Sequence, residues 1–492
     1  MSHFILGSDR KQTWMLPESV EDYVGEDNPV RFIDAFVDGL DWEKLKVAVQ
    51  PALTGRPGYQ PADLLKLYLY GYLNRVRSSR ELERLTQRNL EVIWLLKRLR
   101  PDHKTISEFR RAHRDAFKQV FRQFNVMCRE LKLFGAELVA IDGSIFKAVN
   151  SKARNFTLTK LESLLKAVDS GIENYLKELE LNDVPEDASG VTGAAKEGSV
   201  KDLPARLKAL KDAKERYELM LVQLKESGQT QISLTDKDSR LMKKSTSKDS
   251  MVGYNIQSSV DGAHHLIVDV EATMQGNDFG RLNEMAQLAK EALVVETLTV
   301  VADGGYYSVT DLKAAEAQGI MVHVPRPHDS MDKEGLYGRE KFKYDKQRDV
   351  YRCPAGEDLK RHSDTQIKGQ HYEVYYNTAA CAGCALRTEC TKGGYRKLKH
   401  VRDHETMERI EQRVAAQPEV YARRKGLVEH PFGTIKFWWG QGAFLTRGLE
   451  AVNAEVSLSA MAYNMRRALN LLGARKLIAW AASANTARAT FC

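Results

Sequence analysis

The spacing of apolar residues changes near residue 131, and the change divides the chain. Before it the apolar positions follow a helical period. Pro29 to Val37 opens with proline at a first-turn position and carries Val30, Phe32, Ile33, Phe36 and Val37, which predicts a helix. A turn-rich break from Thr54 through Gly55-Arg56-Pro57 to Pro61 follows. Further helical runs come at Leu64 to Tyr72, Ser79 to Leu85, Leu90 to Leu99 and Ile106 to Arg111.

Beyond residue 131 the period shortens to two. Ala136 to Lys147 reads as a strand, and Val252 to Val260 and His265 to Glu271 alternate strongly around Asp261-Gly262, a hairpin signal. A helix from Asp278 to Leu293, with Asn277 as its N-cap, then leads to a strand at Thr299 to Ala302. Strand, hairpin, helix and strand imply a mixed sheet with a right-handed crossover. Lys160 to Leu181 and Leu203 to Lys225 are charged amphipathic segments and predict an antiparallel helical hairpin; their Gly/Ser/Glu/Lys-rich connector, Asn182 to Asp202, predicts no packed structure. Leu449 to Leu471 predicts a long helix that packs on the core domain rather than dimerising.

The fold class is therefore α/β, a mixed sheet with helical insertions preceded by an all-α unit. The expected parts are a helical domain over 1–130 and a first core segment over 131–325 with the hairpin inserted at about 155–230. A cysteine-containing insertion over 326–400, a second core segment over 401–475 and a tail over 476–492 complete the chain.

Composition excludes some alternatives. With 43 % hydrophobic and 28 % charged residues over 492 positions, the chain is neither disordered nor fibrous, and is too long for one core. No apolar stretch approaches the ~18 to 20 residues of a membrane helix. The first residues show no basic segment followed by an apolar one, so a cytoplasmic protein without membrane contact is expected.

The net charge of +8 suits a polyanionic partner, and its distribution is more telling. Between Arg75 and Arg114 twelve basic residues stand against five acidic ones, an excess of seven. Arg75, Arg77, Arg80, Arg84, Lys104, Arg110 and Arg111 belong to this block. On short helices joined by a loop at Arg100 to Thr105, it reads as a helix-turn-helix-like DNA-binding footprint.

Both core strands end alike: Leu138-Val139-Ala140-Ile141 runs into Asp142-Gly143, and Thr299-Val300-Val301-Ala302 into Asp303-Gly304-Gly305. An acid at the end of a buried strand lies at a sheet edge, where ligands bind, and a buried carboxylate is costly unless paired or metal-bound. A third acid, Glu429, precedes Lys436 by seven residues, about two helical turns, so both are expected on one face. Pro431 places Glu429 at a helix start or just before a kink. Three carboxylates from separate segments suit two Mg²⁺ ions about 3.5 to 4 Å apart, with Mn²⁺ as a substitute, for in-line displacement at phosphorus. Lys436 would contact a DNA phosphate, with Arg424 and Lys425 nearby. Asp261 reads as a turn residue and Asp278 as helix first-turn chemistry. Trp438 and Trp439 are expected to pack beneath the helix, with stacking on an unpaired base as the alternative.

Four of the six cysteines, Cys353, Cys381, Cys384 and Cys390, fall in the insertion, and Cys381-x2-Cys384 has chelate spacing. In a reducing compartment one structural Zn²⁺ is favoured over disulfides, although the spacing to Cys390 departs from a symmetric two-knuckle pattern. Cys128 and Cys492 are expected to be free thiols.

Taken together, Asp142 in Ile-Asp-Gly-Ser, Asp303 in Ala-Asp-Gly-Gly-Tyr and Glu429-x6-Lys436 resemble the DDE triad of bacterial insertion-sequence transposases with a ribonuclease H-like catalytic domain. The Tyr-x2-Arg-x3-Glu-x6-Lys signature of that family is matched at Glu429 and Lys436; Tyr421 and Arg424 keep the first spacing, but Arg424 lies one residue too far from Glu429, with Lys425 in its place. Gly55-Arg56-Pro57, the Thr105 to Arg110 segment and the cysteine-bearing insert are also similar to such proteins. The resemblance implies cleavage at the ends of a mobile element and transfer of the freed 3′-hydroxyl into target DNA. It further implies terminal-repeat and target DNA as partners, assembly as a homodimer or larger on DNA, and a nucleoid-associated bacterial location. Two rivals share the sequence features: a catalytically inactive DNA-binding descendant, and a ribonuclease H-like nuclease without strand transfer.

Overall fold

The computed structural model describes residues 19–47, 58–182, 203–243, 249–327, 335–367, 370–401 and 403–489. Gly55-Arg56-Pro57, most of the hairpin connector and Cys492 lie outside them. The helix Pro29–Asp38 begins as its sequence dictates, with the Asn28 side chain accepting a bond from the Val30 amide and proline in the first turn. Pro61–Leu73, Ser79–Arg88, Leu90–Leu95, His103–Ala112 and Arg114–Glu130 follow. Phe32, Phe36, Tyr68, Phe117 and Phe124 fill their centre. That core is continuous with the buried face of Leu449–Leu472 and with the strand Ile267–Thr273, so the helical N-terminal part and the sheet share apolar packing. No helix among the described residues is long and apolar enough to cross a membrane.

The main sheet has the ribonuclease H-like arrangement. Its strands run in the order Arg240–Lys243, Ser250–Asp261, Leu138–Lys147, Leu298–Val301, Ile320–His323, with Ile267–Thr273 paired to the far side of Ser250–Asp261. Leu138–Lys147 is antiparallel to Ser250–Asp261 and parallel to Leu298–Val301. Alternation then sorts its side chains. Val139 and Ile141 pack with Val300 and Ala302 against the helices Leu282–Leu293 and Val309–Ala317. Leu138, Ala140 and Val301 point to the other face, against Leu427 and Val428 of the helix Pro418–Gly433. By the same period, Asp142 and Asp303 belong to the face that this helix covers.

The hairpin insertion consists of Leu158–Asn182 and Leu203–Ser227, closed around Phe156, Leu161, Met220 and Leu224. The cysteine-bearing segment contains a five-stranded antiparallel sheet that the cysteine spacing does not announce, ordered Leu398–Val401, Gln370–Tyr376, Asp358–Ile367, Val350–Arg352, Lys343–Asp345.

The helix expected from Asp278 begins instead at Leu282. Gly280 has φ +73°, which interrupts the helical path, and the Leu282 and Asn283 amides donate to the Asp311 carboxylate at 2.9 and 3.2 Å. A cap borrowed from a distant residue replaces the local one at Asn277, and Asp278 is left in the connecting loop.

Candidate active site

In the parallel pairing Leu138 stands beside Thr299, Val139 beside Val300 and Ala140 beside Val301. Continued two residues further, this register sets Asp142 level with Asp303. The Asp303 carboxylate accepts from the Gly305 amide at 2.8 Å and caps the short turn Gly304–Tyr306. The Asp142 carboxylate accepts from the Gly143 amide at 3.0 Å. Burial pushes the Asp142 carboxyl up to about 7; the Arg424 guanidinium opposes this, while the charges of Asp303 and Asp278 add to it.

The helix Pro418–Gly433 lies across this edge. Arg424 Nη1 is 3.8 Å from Asp142 Oδ2. Glu429 is exposed in the penultimate turn, two residues before Pro431, after which the chain passes into a π-helical turn, Thr434–Trp438. Proline offers no amide for the ladder, and π turns recur at functional sites. Lys436, beyond the distortion, donates from Nζ to Ser144 Oγ at 2.7 Å and to the Ile145 carbonyl at 2.8 Å. Its ammonium also lies 4.7 Å from the centre of the Phe146 ring. These contacts clamp the helix end onto the Asp142 strand instead of presenting a charge outward. The expected pairing of Glu429 and Lys436 on one regular helical face gives way to a helix for the acid and a π turn for the lysine.

Asp142 and Asp303 are thus brought together, Arg424 beside them, with Glu429 on the overlying helix. Among the described residues no three His, Cys, Asp or Glu side chains stand close enough to enclose a metal ion. The donors at this edge are all oxygens, which fits a hard divalent cation.

A group that the sequence pattern did not single out completes the edge. Asp278 Oδ1 accepts from Asn255 Nδ2 at 2.8 Å and from Gln257 Nε2 at 2.6 Å, and Gln257 Oε1 accepts from the buried Tyr306 hydroxyl. Asn255 and Gln257 are only 3 % and 2 % exposed. Two large amide side chains at i and i+2 of a strand that is buried along most of its length were the legible signal.

The basic block divides. Arg75, Arg80, Arg84, Lys104 and Arg111 are exposed, although Arg84 pairs with Glu81, Arg111 with Glu108, and Arg75 reaches the Trp438 carbonyl at 3.4 Å. Two members are built into the protein. Arg77 donates to Glu455 and to the Ala443 carbonyl, both at 3.0 Å, and Glu455 is fully buried. Arg110 lies over the Tyr68 ring and is largely enclosed. Lys425 is exposed. Trp439 packs against Tyr463 and the core, whereas Trp438 is 78 % exposed, so only one of the two tryptophans packs as expected.

Cys353, Cys381, Cys384 and Cys390 line one cavity with Tyr337, Phe342 and Leu359. All four are free thiols, and burial, reinforced by the other three sulfurs, raises the Cys390 thiol. Cys128 is buried in the helical core, where desolvation holds its thiol protonated.

Two family descriptions match the chain: "Transposase domain (DUF772)" over residues 18–112 and "Transposase DDE domain" over residues 352–469. The second spans Glu429 and Lys436. No curated protein matches. Among solved structures, one titled "Cryo-EM structure of piggyBac transposase synaptic complex with hairpin DNA (SNHP)" aligns over 94 % of this chain and 82 % of that one at a TM-score of 0.31 and 8 % identity. That likeness is too remote to carry weight beside the strand order itself. The chain thus carries a match to a transposase domain ahead of a match to a transposase DDE domain, with two strand-end aspartates set level on a ribonuclease H-like sheet.

Proposed function

We propose that the protein cuts DNA at the ends of an insertion sequence and joins the freed 3′-hydroxyl to target DNA, with Asp142, Asp303 and Glu429 as its acids. The observation that carries this reading is the level placement of Asp142 and Asp303 on adjacent parallel strands, under a helix that bears Glu429. Asp142, Asp303 and Glu429 would hold divalent ions, Mg²⁺ or Mn²⁺. Such ions supply charge stabilisation and an activated oxygen nucleophile for displacement at phosphorus.

The chain's own groups have distinct parts. Arg424 balances charge at Asp142, and its guanidinium is placed to meet a phosphate when a cation takes over that balance. Lys436 and Phe432 seat the helix on the Asp142 strand, which fixes where Glu429 can reach. Arg75, Arg80, Arg84, Lys104 and Arg111 supply phosphate contacts along the helical unit, together with Lys425 beside the site. Two chains on paired element ends make the working assembly a homodimer or larger. Four thiols around one cavity support a structural Zn²⁺, which they would ligate as thiolates with release of their protons.

The test is incubation of the full-length protein with labelled DNA carrying the terminal repeats that flank its coding region, with a target plasmid and Mg²⁺. Nicking at the repeat boundary followed by joined product supports the reading. Cutting without joining would favour the nuclease, and binding without cutting the inactive descendant.

A further inference from the structure

The turn between the strands Ser250–Asp261 and Ile267–Thr273 is gripped by two arginines from two different helices. Arg423, exposed on the helix Pro418–Gly433, donates from Nη2 to the Gly262 carbonyl at 2.9 Å. Arg467, half-buried on the helix Leu449–Leu472, donates from Nε and Nη2 to the His264 carbonyl at 3.1 and 2.8 Å. Carbonyls are neutral, so these bonds fix the guanidiniums without cancelling their charge. Among the described residues neither arginine forms an ion pair. Two imidazoles complete the cluster: the His265 and His430 rings stand 5.2 Å apart, and His430 directly follows Glu429. Burial holds both imidazoles below their ordinary range; Arg467 adds to this at each, and Arg423 at His265. Asp261 opposes the shift at His265, but its carboxylate is fully buried and already accepts from the amides of Gly135, Ala136 and Ala263. The two positive charges therefore meet on one small area of surface with no acid to neutralise them.

This patch is continuous with the basic block of the N-terminal helices. Arg466, the neighbour of Arg467, is exposed, donates to the Leu73 carbonyl at 2.8 Å and lies close enough to Arg75 for the two charges to oppose each other. Arg75, Arg466, Arg467 and Arg423 thus form a run of cations from the helical unit to the flank of the helix that carries Glu429. We infer that Arg423 and Arg467 together bind a backbone phosphate of the terminal-repeat duplex beside the Glu429 helix. This rests on the reading above that the chain works on DNA ends. With one edge tied to a carbonyl, each guanidinium keeps further N–H donors in a fixed plane, the geometry that suits a phosphate oxygen. The terminal repeat is the source, because the run begins at the block read as holding element ends. A phosphate fixed here ties that DNA to the same helix that sets the reach of Glu429.

The experiment follows fluorescence anisotropy of a labelled terminal-repeat duplex with full-length wild type, Arg423→Gln, Arg467→Gln, the double variant and Arg423→Lys over a series of KCl concentrations. A duplex of equal length without the repeat is the second arm, and thermal melting of each protein without DNA is recorded alongside. Glutamine can still donate to the turn carbonyl, so the melting temperature should match wild type. Each glutamine should lower the salt dependence of repeat binding by about one unit and the pair by about two, whereas Arg423→Lys, which keeps the charge, should keep the wild-type slope. The loss should be at least as large on the repeat duplex as on the repeat-free one; a larger loss on the repeat-free duplex would overturn the assignment. Arginines that only brace the turn would instead lower the melting temperature and leave the slope unchanged, in lysine as in glutamine, and that result also overturns the inference. If wild type binds no terminal-repeat DNA, the reading of a protein that works on DNA ends falls too. If wild type binds it and both glutamine variants keep the wild-type slope, only the inference falls.

Discussion

Asp142→Asn tests the electrostatics of the sheet edge through stability alone. In the metal-free protein the Asp142 carboxyl is pushed from its ordinary 3.8 up to about 7, chiefly by burial, with Asp303 and Asp278 adding repulsion. The sign follows from proton counting. Between about pH 4 and pH 7 the native chain keeps a proton that the unfolded chain has lost, so native stability declines as pH rises through that window and stays low above it. At about 1.4 kcal/mol per pH unit, the two units from pH 5 to pH 7 correspond to about 3 kcal/mol, a ceiling that water penetration reduces. Asparagine cannot ionise, so the variant lacks this slope. Urea denaturation of EDTA-treated wild type and variant at pH 5 and pH 8 measures it, because the difference between the two proteins cancels the titrating groups that do not interact with Asp142. The variant should gain on wild type by about 2 to 3 kcal/mol between pH 5 and pH 8, and Mg²⁺ should stabilise wild type more than the variant. A difference that does not change with pH would refute the reasoning.

Other parts of the structure make separate predictions. Gly143→Ala drives a methyl into the Asp278 carboxylate and should cost about 1 to 3 kcal/mol in chemical denaturation. Arg77→Ala leaves the fully buried Glu455 without its cation and should destabilise by about 3 to 5 kcal/mol, whereas Arg80→Ala should leave stability unchanged, weaken DNA binding and lower its salt dependence by about one unit. Protein purified under reducing conditions should carry one zinc per chain by elemental analysis. Cys381→Ser should lower that content, and full loading of the variant would contradict the thiol site.

The strand endings were legible because both carry the same pattern, and 161 positions separate Asp142 from Asp303, the same offset that pairs Leu138 with Thr299. The crossover helix and the helical hairpin followed from apolar spacing. Asp278 was not legible as a site residue, since Asn277 and the acids after it imitate a helix start; the true cap comes from Asp311, and only the fold brings that residue near. Charge counting could not separate Arg77 from Arg80, because the partner that internalises Arg77 lies 378 positions away at Glu455. The small antiparallel sheet of the cysteine segment was hidden because its longest strand, Asp358–Ile367, is mostly polar and exposed, and because the cysteines drew the reading toward turns alone. Trp438 and Trp439 are adjacent in sequence, and the π turn that ends at Trp438 leaves its ring outside while Trp439 packs inward.

The account stands on Asp142 and Asp303 acting together in cutting and joining DNA. The most direct measurement compares wild type with Asp142→Asn and Asp303→Asn on terminal-repeat DNA and a target plasmid in Mg²⁺, with DNA binding recorded by mobility shift on the same samples. Each variant should bind the repeats like wild type and lose both cleavage and joined product together. Cleavage or joining by either variant at the wild-type rate would contradict the account.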